Sequence, residues 1–129
     1  MSEDMQTVRD VLATEVMGWE RIPWAEAPYG QSHAWSDDGF IRAKKSSWHP
    51  DTDWEQCGMV IKAMRAKGTD ERPVSWSMHQ EPMGAWAVQI WRFDDAGHEY
   101  MIASARCDTF PEAVALAAYR AVVGEESET

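Results

Sequence analysis

The chain holds only 2 cysteines, 4 histidines and 12 lysines and arginines among its 129 residues, and each shortage excludes something. Two cysteines do not make a disulfide framework. Cys57 and Cys107 could pair, but each falls on an apolar face, where a reduced thiol serves as a small core hydrophobe. His33, His49, His79 and His98 stand singly, without the Cys-x-x-Cys or four-residue histidine spacings that gather a metal, so no metal site is expected. There is no glycine-rich phosphate loop. The one nucleophile with a base nearby, Cys57 with His49, lies on the same stripe as Trp54 and Ile61 and reads as core. The chain is therefore expected to be no enzyme and to carry no cofactor. Its basic residues are outnumbered by 22 aspartates and glutamates, for a net charge of −10. Phosphate-tracking surfaces carry the opposite excess, so direct binding of DNA or RNA is disfavoured. Long apolar runs are also missing, since the longest, residues 113–118, falls far short of the roughly 20 needed to cross a bilayer. Residues 2–10 have neither the basic start nor the apolar stretch of a signal peptide, which predicts a protein that stays in the cytoplasm.

The length suits one hydrophobic core. A single domain over residues 1–124 is expected, with residues 125–129 as an acidic disordered tail. Eight tryptophans are the unusual wealth of the chain, and each ring buries a large area. Val8, Val11, Leu12, Val16 and Trp19 mark one face of a first helix ending near Gly18. A second helix starts after Trp48-His49-Pro50, with Thr52 and Glu55 as a capping box. Trp54, Cys57, Val60, Ile61 and Met64 form its buried stripe, and Gly68 suits its left-handed cap. Three strands follow, over residues 74–79, 85–93 and 99–107, separated by turn signals at 81–84 and 94–97 and forming an antiparallel meander. Trp86, Val88 and Ile90 alternate towards the core in the middle strand. A third helix begins at Thr109, boxed with Glu112, and runs to about Val123 before Gly124, packing through Ala113, Ala117, Ala118 and Ala121. Residues 20–47 lose periodicity and read as a long irregular excursion with a short strand near 40–43. The fold class is α+β: an antiparallel three- to four-stranded sheet packed with three helices, an α/β sandwich.

Several segments taken together carry a resemblance. Val16-Met17-Gly18-Trp19 closes the first helix, and Trp48-His49-Pro50-Asp51-Thr52-Asp53-Trp54 opens the second. Gly84-Ala85-Trp86-Ala87-Val88 lies in a strand, and Thr109-Phe110-Pro111-Glu112-Ala113 starts the last helix. In order and spacing this resembles the phage ABA-sandwich domain family, small proteins of bacteriophages and prophages. The resemblance implies an antiparallel sheet covered by helices and a gene carried by a phage, hence a bacterial host cytoplasm. It implies no reaction and transfers no active site. The stretch between Trp19 and Trp48 is longer than the family pattern.

Candidate binding residues come from the irregular segment and its end. Lys44 and Lys45, just before Trp48 and His49, form the one local basic and aromatic grouping, able to hold a nucleotide by stacking its base and pairing its phosphates. Trp24 and Trp35 lack periodicity, and either plug the edge of the core or anchor a partner. Asp51, Asp53 and Glu55 crowd the first turn of the second helix, where capping and dipole complementation account for them. Asp37 and Asp38, with Asp94 and Asp95, are candidates for one acidic surface that mimics nucleic acid. The expected function is a phage accessory protein that binds and inhibits a host protein with a basic face, an anti-defence factor of the anti-CRISPR kind. The alternative is a binder that sequesters a nucleotide immune signal, in an oligomer such as a homodimer.

Overall fold

The N-terminal apolar stripe forms helix α1, Met5–Val11, whose Asp4 cap accepts from the Gln6 amide at 3.2 Å. The helix continues as a π-helical stretch over Leu12–Val16, and Val8, Leu12, Ala13 and Val16 are buried along it. Gly18 ends it. Its φ of 73° is left-handed, which brings the Trp19 amide to 2.8 Å from the Ala13 carbonyl and satisfies an otherwise orphaned acceptor. The structure, a computed structural model, describes residues 4–23, 33–37, 40–44, 47–67, 74–93 and 96–127.

The fold is α+β, as expected, but its strands make two antiparallel three-stranded sheets rather than one. The first joins β1 (Glu20–Pro23), β2 (His33–Asp37) and β3 (Phe40–Lys44) in that order. Only β3 is foreshadowed by the expected strand near 40–43. The short β1 carries little pattern, and a register shift between Trp35 and Ser36 breaks the alternation of β2, so that Ala34, Trp35 and Ser36 are buried in succession. The second sheet is the expected meander, β4 (Ser75–Gln80), β5 (Trp86–Phe93) and β6 (Glu99–Cys107). Met78, Val88 and Ala105 pair across its three strands, as do Trp76, Ile90 and Ala103, which puts these residues on one apolar face.

Helix α2 spans Trp54–Ala66 and α3 spans Phe110–Ser127. α3 touches β5 and β6 as well as α1 and α2, and residues 113–118 are all buried. A helix apolar all round is one enclosed on every side, which accounts for the longest apolar run. Among the described residues no helix is long and apolar enough to cross a membrane. α3 passes through Gly124 instead of ending before it, because Gly124 does not adopt the positive φ of a cap. Part of the expected tail is therefore helical backbone.

Candidate functional site

The path into α2 is tied down by polar contacts, most of them partly buried. Arg9 donates from Nε and Nη2 to the two carboxylate oxygens of Asp51, at 2.8 and 2.9 Å. Asp51 is only 4% exposed. Its hydrogen bond is the main cause of a raised Arg9 pKa, opposed by burial. The Trp48 indole N–H donates to the Arg9 carbonyl at 2.9 Å, and its ring meets Trp19 edge-on at 4.7 Å. The cap of α2 is one residue later than the sequence suggests. Asp53, not Thr52, accepts from the Gln56 amide at 2.9 Å. The Gln56 side chain, rather than Glu55, reaches back, accepting from the His49 amide and donating to the Ser47 carbonyl, each at 2.7 Å. Thr52 is held instead by its own turn, its amide donating to the His49 carbonyl at 3.1 Å.

This wiring holds Trp54, the first residue of α2, in an unexpected place. The stripe does bury Cys57, Val60 and Met64, but Trp54 is 65% exposed. The first turn of α2 meets the start of α3 instead of continuing over the core. There Trp54 stacks on Phe110, ring centroids 5.1 Å apart and planes within 6°. Phe110 in turn meets Trp86 of β5 edge-on at 5.1 Å. Thr52, Asp108, Thr109 and Pro111 complete an open cleft of about 330 Å³ around these rings. Thr109 caps α3 as expected, accepting from the Glu112 amide at 3.4 Å. Cys107, opposite Trp86 in the register, has its thiol pushed up to about 11 by burial and then by the charge of Glu112. Burial does the same to Cys57, also to about 11. Both thiols are protonated at neutral pH, which makes them poor nucleophiles.

Of the binding residues picked from the sequence, Trp35, Asp37, Trp48 and His49 have described side chains, and both of these tryptophans are buried. Trp35 is 1% and Trp48 2% exposed, so the first is a core plug and not an anchor, and the second cannot stack a base. Burial against Trp19 and the bond to Arg9 account for Trp48. His49 is half-buried, its Nδ1 lying 3.3 Å from the Thr52 hydroxyl. Asp37 forms an ion pair with Arg42 at 3.4 Å. Lys44 belongs to β3, whereas Trp24, Asp38 and Lys45, together with Asp94, Asp95 and Gly68, lie outside the described residues. Among the described residues no group of histidine, cysteine and carboxylate side chains is placed to hold a metal. Sequence reasoning missed Trp54, Trp86 and Phe110 as a cluster. The available signal was that Trp54 and Phe110 each open a helix, where a stripe has no neighbour on one side. Comparison with protein-family models, curated proteins and solved structures finds no match for this chain.

Proposed function

We propose that the chain is a phage-encoded, non-enzymatic accessory protein that binds and inhibits a host protein, docking through the Trp54–Phe110–Trp86 cleft. The phage origin and the anti-defence role are supported by the motif resemblance and by the −10 charge. The observation that carries the binding role is Trp54, an indole 65% exposed yet held flat against Phe110. A large aromatic ring fixed in place before binding loses little further freedom, the property of an interface anchor. A tryptophan side chain buries up to about 250 Å². Covering the exposed share, about 160 Å², contributes roughly 4 kcal/mol at about 25 cal/mol per Å², before the costs of association. The nucleotide-sequestering alternative gains no such support, because the ring it needs, Trp48, lies in the core. The test is affinity capture of the tagged protein from bacterial host lysate, with proteins quantified by mass spectrometry and small molecules released by denaturation. The expected result is one host protein retained near one-to-one. A released nucleotide without a protein partner overturns the reading.

A further inference from the structure

We infer that the cleft takes an arginine side chain presented by a basic partner, its guanidinium stacked on Trp54 and paired with Asp108; this rests on the docking role proposed above for the same cleft. The charges around the rings point to the ligand. Two helix N-termini meet here, and each carries roughly half a positive charge, about one charge together. Against them stand Asp53 and Glu55 at the start of α2, and Asp108 and Glu112 at the start of α3. Asp108 lines the cleft itself, and the carboxylates at both helix starts offset the two dipoles, so a cation is favoured there over an anion. The amides an anion would use are also committed in part, with Asp53 holding that of Gln56 and Thr109 that of Glu112.

The shape selects among cations. Phe110 covers one face of the Trp54 indole, and the 65% exposure of that residue leaves the other face accessible. A planar guanidinium lies flat on an aromatic face while its N–H groups still reach a carboxylate, which the compact, strongly hydrated ammonium of lysine does less well. Asp108 is exposed and lines the same cleft as Trp54. At about 330 Å³, the cleft sits near the lower end of small-ligand pockets, a size suited to one side chain.

The probe is a capped single arginine titrated into the full chain, with capped citrulline as its neutral match in shape and capped glutamate as the anion. The indole N–H signals of Trp54 and Trp86 are followed by NMR. The arginine probe is expected to bind about 2- to 30-fold more tightly than citrulline, the range that a cation–π contact supplies. Trp54 should shift most, and Asp108→Asn should reduce the preference while moving the melting temperature by no more than about 4 °C. Equal binding of arginine and citrulline, tighter binding of glutamate, or a preference undiminished by Asp108→Asn overturns the inference. The two readings fail separately. A host protein captured through Trp54 without any arginine preference removes only the arginine assignment. Arginine preference without a captured protein supports the assignment and removes the host-protein role.

Discussion

Replacing Arg9 by alanine strands a buried charge. The Asp51 side chain is 6% exposed, and both its oxygens are held by the one guanidinium. Breaking a buried ion pair by removing one partner costs about 3–5 kcal/mol, since the remaining charge has neither water nor a counter-ion. Arg9 itself is 28% exposed, so the loss should lie near the lower end, about 3 kcal/mol. For a chain of 129 residues, an unfolding entropy of about 2.1 cal/mol/K per residue gives roughly 270 cal/mol/K, and the melting temperature should fall by about 11 °C. Thermal unfolding followed by circular dichroism at pH 7 measures this. Asp51→Ala should cost less, because the arginine left behind can turn towards solvent, and Arg9→Met with Asp51→Leu should recover most of the loss. A drop below about 4 °C, equivalent to roughly 1 kcal/mol, would refute the reasoning. So would a larger loss from Asp51→Ala than from Arg9→Ala.

Two further perturbations follow from the backbone and the thiols. Gly18→Ala should cost about 1 kcal/mol, read from the urea midpoint, because its φ of 73° is left-handed while nothing within 4 Å would meet the added methyl; no change would contradict the cap. Cys57 and Cys107 are each raised from 9.0 to about 11. The folded state thus holds these protons more tightly than the unfolded chain. Their contribution is complete below pH 9 and is lost as pH rises through about 11. Urea melts between pH 7 and 11 should show that loss in the wild type and less of it in a Cys57→Ala/Cys107→Ala variant. Native-state alkylation of Cys107 at pH 8 should be about tenfold slower than for an unperturbed thiol, the smaller thiolate fraction being partly offset by the greater nucleophilicity of a more basic thiolate. Glu112→Gln should speed it, and a rate unchanged by that substitution would remove the role given to Glu112.

The parts of the fold written in local pattern were legible. Val8, Leu12 and Val16 announced α1, Thr109 announced the start of α3, and the meander followed from its alternation and turns. What was not legible depends on neighbours distant in sequence. Thr52 and Asp53 are both sound capping residues, and the choice of Asp53 is fixed by Gln56 anchoring Ser47 and His49. Trp54 fits the buried period of α2, yet its exposure is decided by where α3 begins. Phe110 and Pro111 read only as a helix start, with nothing to announce that Trp54 and Trp86 converge there. Trp48 beside two lysines looked like a ligand platform because a short segment does not reveal that its indole turns in to Arg9.

The docking role is proposed for the Trp54–Phe110–Trp86 cleft, whose outermost ring is Trp54. The decisive measurement is capture from host lysate with the wild type and Trp54→Ala side by side, after their melting temperatures are compared. The variant is expected to melt within about 6 °C of the wild type, since Trp54 is 65% exposed and gives up only its stack on Phe110, and to lose the host protein. Undiminished capture by Trp54→Ala would contradict the docking role.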